Sequence, residues 1–123
     1  MDLNKKLLVV DDSQIQLVVC VNQLKQLGFE KIAVAKDGGK AYSILEKGSI
    51  DVIISDWEMP EMDGLELLKK VKTNPSLQGI PFIMLTAHKD EKLNQEAIQF
   101  GAADFIVKPG TPDLFKEKLK AIM

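Results

Sequence analysis

The sequence predicts an α/β domain of five successive β-α units, with a parallel sheet held between two layers of helices. Two observations carry that expectation. Short runs of aliphatic and β-branched residues alternate with longer segments of helical period, and four of the five runs are almost continuously apolar, as strands covered on both faces are. The runs are Leu7 to Val10, Lys31 to Ala35, Asp51 to Ser55, Phe82 to Leu85 and Asp104 to Val107. The punctuation between them agrees. Ser13 is placed to cap a first helix that Gly28 stops, Asp37 opens a second followed by Gly48, and Asp63 opens a third ahead of Asn74-Pro75. A fourth helix is expected from about Asp90 to Phe100 with Gly101 as its stop. Thr111 caps the last, with Pro112 at its first position. Right-handed crossovers make such a sheet doubly wound, and ligands then sit beyond the carboxyl ends of the strands, where strand order reverses.

The 123 residues, 46% hydrophobic and 28% charged, suit one compact domain over 1–123, with no internal repeat, linker or low-complexity stretch. No apolar stretch approaches the roughly 20 residues that cross a bilayer. The start, Met1-Asp2-Leu3-Asn4-Lys5-Lys6, lacks the charged-then-apolar order of a signal peptide, so a cytoplasmic location and no membrane contact are expected. Sixteen basic against eighteen acidic residues leave a net charge of −2, without the basic excess that draws a protein to nucleic acid. The one cysteine, Cys20, excludes an intrachain disulfide and a cysteine metal cluster and reads as a small buried residue of helix one.

What stands at the carboxyl rim is more informative. Strand one ends in Val10-Asp11-Asp12, strand three in Ser55-Asp56, strand four in Leu85-Thr86-Ala87 and strand five in Val107-Lys108-Pro109. A single acidic residue after a strand is ordinarily a helix cap. Three carboxylates packed together repel one another and raise at least one pKa unless a cation intervenes, which makes the set costly as decoration.

This ordered set, Asp11-Asp12, Asp56 with Met59-Pro60-Glu61-Met62-Asp63-Gly64, Thr86-Ala87 and Lys108-Pro109, resembles the CheY-like receiver domain of bacterial response regulators over nearly the whole chain, from Lys6 to Ile122. The resemblance implies a flavodoxin-like fold with strand order 2-1-3-4-5. It also implies Mg²⁺-dependent transfer of a phosphoryl group from a sensor histidine kinase or histidine phosphotransfer protein onto Asp56, within a two-component or phosphorelay system. Asp12 and Asp56 are then expected to ligate one Mg²⁺ directly, with the backbone carbonyl of Glu58 as a third protein ligand and Asp11 acting through a metal-bound water. Lys108 is expected to place its ammonium on a phosphoryl oxygen and to pair with Asp56 beforehand, its direction fixed by a Lys108-Pro109 bond that is often cis in this family.

By the same resemblance, Thr86 and the backbone of Ala87 bind the phosphoryl group. Thr86 then draws its loop inward, and Phe105 turns into the vacated space. Since Phe105 has no hydroxyl, its inward state rests on packing alone. The output is a shift in population of the face formed by helix four, strand five and helix five. Glu58 and His88, two residues after Asp56 and Thr86, match positions that flank the path of the hydrolysing water and modulate phosphoryl lifetime. Catalysis in this sense is confined to the domain's own phosphorylation and slow dephosphorylation; the protein is expected to be a switch and not an enzyme.

Three further expectations come from the residues themselves. Trp57, the only tryptophan, should turn away from Asp56 by strand alternation and cover apolar surface. On helix one, Gln16, Leu17, Cys20, Gln23, Leu24 and Leu27 gather on one side, leaving Ile15 and Val18 exposed beside the acidic rim, as scattered surface hydrophobes or as a docking patch for a phosphodonor. Competing classes fit less well. A dinucleotide binder needs a glycine-rich phosphate cradle after strand one, and haloacid-dehalogenase-type phosphatases carry their nucleophile in a D-x-D pattern at strand one. A receiver-fold interaction module independent of phosphorylation remains the strongest rival. Helix five reaches Met123 and leaves no room here for an output module, so both a stand-alone regulator docking to a downstream protein and the receiver of a longer chain stay open. A monomer and a phosphorylation-dependent dimer stay open too.

Overall fold

Alternate residues of the first strand, β1 (Leu7–Val10), feed two separate cores, and this split organises the molecule. A computed structural model describes all 123 residues. The elements that follow are α1 (Gln14–Gln26), β2 (Ile32–Ala35), α2 (Gly38–Glu46), β3 (Val52–Asp56), α3 (Gly64–Lys72), β4 (Phe82–Thr86), α4 (Glu91–Gln99), β5 (Asp104–Val107) and α5 (Pro112–Ile122). The five strands are parallel and lie in the order β2-β1-β3-β4-β5, the doubly wound, flavodoxin-like arrangement.

Leu8, Val10, Ile53, Phe82 and Met84 point to one face, where Ala41 and Leu45 of α2, Leu67, Leu68 and Val71 of α3 and Ala97 of α4 cover them. Leu7, Val9, Val52, Ile54, Ile83 and Leu85 point to the other, beneath Leu17, Cys20 and Leu24 of α1 and Phe115 and Leu119 of α5. Period-two alternation in a sheet sandwiched by helices produces this partition without further instruction. The central strands β1, β3 and β4 are wholly buried, whereas β2 and β5 are the sheet edges and are only partly covered.

The four expected caps are made, and Asp90, expected as the first residue of helix four, caps it instead. Ser13, Asp37, Asp63, Asp90 and Thr111 accept from the backbone N–H of Gln16, Lys40, Glu66, Lys92 and Leu114. Gly28, Gly48 and Gly101 have positive φ, the left-handed conformation that ends a helix. Element ends differ from the sequence expectation by single residues. Lys31 and Asp51 fall outside their strands, and Asp51 instead accepts the N–H of Lys6 through its carboxylate. β3 and β4 run one residue further, to Asp56 and Thr86, because Leu85 and Val107 on the neighbouring strands continue the ladder. Asp90 and Phe100 flank α4 as its caps. On α1, Gln16 is exposed and Leu27 half-buried; the buried stripe is narrower than expected and reduces to Leu17, Cys20 and Leu24.

Gly64 shows how tightly the α3 start is pressed onto the end of β3. Its N–H donates to the Trp57 carbonyl at 2.7 Å. A Cβ there would collide with the Asp56 backbone oxygen and lie 2.9 Å from Trp57 Cα. Gly64→Ala is therefore expected to destabilise the fold by about 1–3 kcal/mol, as overpacking against an unyielding backbone does. Urea denaturation measures this directly.

Candidate functional site

The sheet register assembles the site. Val10 pairs with Ser55, so the next residues along β1 and β3, Asp11 and Asp56, come out side by side where strand order reverses. One carboxylate oxygen from each of Asp11, Asp12 and Asp56 lies within 4.8 Å of the other two. Asp11 and Asp56 are buried and Asp12 is exposed. Lys108 arrives from β5, two strand positions from β3 and thus about 10 Å away, by reaching over the end of β4. Its Nζ sits 3.0 Å from Asp56 Oδ1 and 3.3 Å from Asp11 Oδ2. The pairing with Asp56 matches expectation; that with Asp11 adds to it. The Lys108-Pro109 bond is cis. Gln23 of α1 donates to the Gly110 carbonyl at 2.9 Å and ties this loop to the helix that packs beside α5 in the same layer.

Charge balance in the cluster is poor. Two carboxylate charges at such separations repel by roughly 3 kcal/mol at an effective dielectric of about 20, and one ammonium pairs with two of the three carboxylates. Burial pushes the Asp56 carboxyl above its ordinary value, against the opposing pull of the Lys108 ammonium, with Asp11 pushing further upward. For Lys108, burial alone would lower the value, but its hydrogen bond to Asp56 and the charges of Asp56 and Asp11 outweigh that and raise it. Behind the site the buried Cys20 thiol is pushed up to about 12, mainly by burial and then by the Asp11 charge, so it stays a protonated, inert thiol. An all-oxygen, carboxylate-rich donor set short of positive charge fits a hard divalent cation.

Around this centre the remaining sequence candidates divide. Thr86 is fully buried, and its hydroxyl accepts the His88 N–H at 2.9 Å, while its carbonyl accepts the Lys108 N–H. Ala87 is exposed at the rim, and Phe105 is half-buried against the α2-α3-α4 side of the core. Glu58 and His88 come together across the opening between the β3-α3 and β4-α4 loops, His88 Nε2 lying 3.1 Å from Glu58 Oε1. Trp57 is buried away from Asp56, as alternation requires, and meets the His88 ring edge-on at 5.6 Å between centroids. Ile15 and Val18 are 74% and 48% exposed on α1, and Val19 is exposed beside them.

Two features escaped the sequence reading. Glu61 has φ of 67°, an unusual backbone for a non-glycine residue in the loop that follows Asp56. Asn94 lies on the buried stripe of α4 with Ala97, where a polar residue at helical spacing from an apolar one was the available signal.

The profile of the response regulator receiver domain matches residues 7–120. The chain belongs to the receiver-domain family. Among curated relatives, the chemotaxis protein CheY1 of Helicobacter pylori is 40% identical over 119 residues, covering 96% of both chains. The chemotaxis protein CheY-3 of Vibrio cholerae is also 40% identical over 119 residues, covering 97% of this chain and 92% of that protein. Of solved structures, the chemotaxis response regulator CheY4 of Vibrio cholerae superposes with a TM-score of 0.89 at 33% identity, over 98% of this chain and 99% of that one. A CheY-like receiver acts as a phosphoaccepting signalling switch, and its family generally binds Mg²⁺. No helix here is long and apolar enough to cross a membrane.

The electrostatics make two predictions. Because Asp56 holds its proton more tightly folded than unfolded, its contribution to stability is complete below the ordinary carboxylate range and is lost as pH rises through the raised folded value. Metal-free protein should show this falling slope in denaturation midpoint, and Asp56→Asn should lack it. At neutral pH, Mg²⁺ should raise the melting temperature and change Trp57 fluorescence. Asp12→Ala should abolish both responses yet melt higher than wild type without metal, by about 1 kcal/mol, from relief of like-charge repulsion.

Proposed function

We propose that this chain, as a single receiver domain, accepts a phosphoryl group on Asp56 from the phosphohistidine of a sensor kinase or phosphotransfer protein and uses it to change its α4-β5-α5 face. The observation that carries the reading is the convergence of Asp11, Asp12 and Asp56 within 4.8 Å, with Lys108 bridging the two buried members. The Asp56 carboxylate oxygen attacks phosphorus, the P–O bond forms as the P–N bond to the donor imidazole breaks, and the donor leaves with that electron pair. Asp12, Asp56 and the Glu58 backbone carbonyl would hold Mg²⁺ directly and Asp11 through a metal-bound water, and the ion would supply the positive charge that lets an anionic nucleophile meet an anionic phosphoryl group.

The chain's own residues do the rest. Lys108 leaves its pairing with the Asp56 carboxylate for a phosphoryl oxygen and keeps its charge there. Thr86 offers its hydroxyl hydrogen and Ala87 its backbone N–H to the other oxygens, and the movement of Thr86 opens room for Phe105. Glu58 and His88 border the approach of the hydrolysing water and set the lifetime of the acyl phosphate. The exposed apolar group Ile15 and Val18, next to the acidic rim, is the surface on which the protein donor docks.

Incubation with acetyl phosphate and Mg²⁺ should add the mass of one phosphoryl group, and Asp56→Asn should abolish it. Inert wild-type protein would favour the phosphorylation-independent interaction module. Replacing both Ile15 and Val18 by Ser should slow transfer from a protein phosphodonor roughly tenfold or more while sparing acetyl phosphate, since each fully buried aliphatic side chain contributes about 1.5–3 kcal/mol. Equal loss with both donors would discard the patch.

A further inference from the structure

Asn94 is 1% exposed, and its Oδ1 is the one buried side-chain polar atom in the protein without a hydrogen-bond partner. Its orientation is not arbitrary: Nδ2 donates to the His88 carbonyl at 2.8 Å, and a flipped amide would set two oxygens against each other. An apolar side chain of similar size would avoid the penalty of a dry, unpaired amide oxygen. The amide is thus a burden to folding, and its return lies in what it holds.

What it holds is the backbone of His88, which is gripped from both sides. The His88 N–H donates to the Thr86 hydroxyl, and the His88 carbonyl accepts from Asn94 in the first turns of α4. The imidazole of the same residue lies against Glu58 and the edge of Trp57. We propose that Asn94 is a positioning residue that clasps the β4-α4 loop, holding His88 against Glu58 over the Asp56 site and linking any displacement of Thr86 to α4. This rests on the phosphoacceptor reading above and goes beyond it. When Thr86 moves toward a phosphoryl group it withdraws the acceptor of the His88 N–H, the loop shifts, and the Asn94 bond to the His88 carbonyl carries that shift to α4.

The test uses the full chain with Mg²⁺ and acetyl phosphate. Asn94→Leu should melt no lower than wild type, yet its acyl phosphate should have a roughly fivefold shorter half-life, the ratio that one net hydrogen bond supplies, because the Glu58-His88 cover is no longer held. A half-life unchanged within roughly twofold in the folded variant overturns the clasp, since one bond's worth of equilibrium shift is larger than that. Should the variant fail to fold, wild-type protein decides: the Asn94 side-chain amide signals in NMR should shift when beryllofluoride and Mg²⁺ are added, and unmoved signals overturn the proposal. Absence of any adduct on wild-type Asp56 is a different result, which sinks the phosphoacceptor reading and the clasp with it.

Discussion

Like-charge crowding at the carboxyl ends of β1 and β3 is the constraint on which the rest of this structure depends. Asp11 and Asp56 are buried side by side with Asp12 next to them, and a single ammonium pairs with the two buried carboxylates. Such an arrangement opposes folding, and the hydrophobic cores on both faces of the sheet have to offset it. The upward push on Asp56, dominated by burial, expresses the same deficit of positive charge. On the proposed function, a divalent cation would neutralise the carboxylates and a phosphoryl group would then give Lys108 a new anion.

The architecture separates a fixed part from a movable one. β1 and β3 are wholly buried, so the carboxylates at their ends are held by backbone that cannot shift without disturbing both cores. Gly64 adds a close backbone contact that fixes the turn after Asp56. The β4-α4 loop is held differently, by few and specific polar contacts: the Thr86 hydroxyl, the Asn94 amide and the Glu58-His88 approach. Contacts of this kind exchange partners at small net expense, whereas packed cores do not, which suits the loop and not the strands to switching. β5 leads directly from this loop's neighbour to Lys108, so the site and the α4-β5-α5 face share one short path through the end of β4.

Much of this was legible in the residues. The five apolar runs, the caps at Ser13, Asp37, Asp63 and Thr111 and the helix start at Asp90 placed every element to within a residue at most of its boundaries, because caps and strand runs are local signals. The exposure of Ile15 and Val18 followed from helical period, and the burial of Trp57 from strand alternation. Boundary shifts at Asp51, Asp56 and Thr86 were not legible, since a strand's last paired residue is settled by its neighbour's length.

By itself, then, the sequence determined which residue types reach the carboxyl rim and in what order, since local periodicity and turn chemistry act over a few residues. The strand order entered through the ordered motifs of a known family and not through periodicity. Only the tertiary structure decided that Lys108 divides itself between Asp56 and Asp11, that Glu58 meets His88, and that Asn94 stands buried with an unpaired oxygen. Those contacts join residues on separate loops and helices. Their distances depend on sheet register and helix packing, quantities that no stretch of the chain encodes alone.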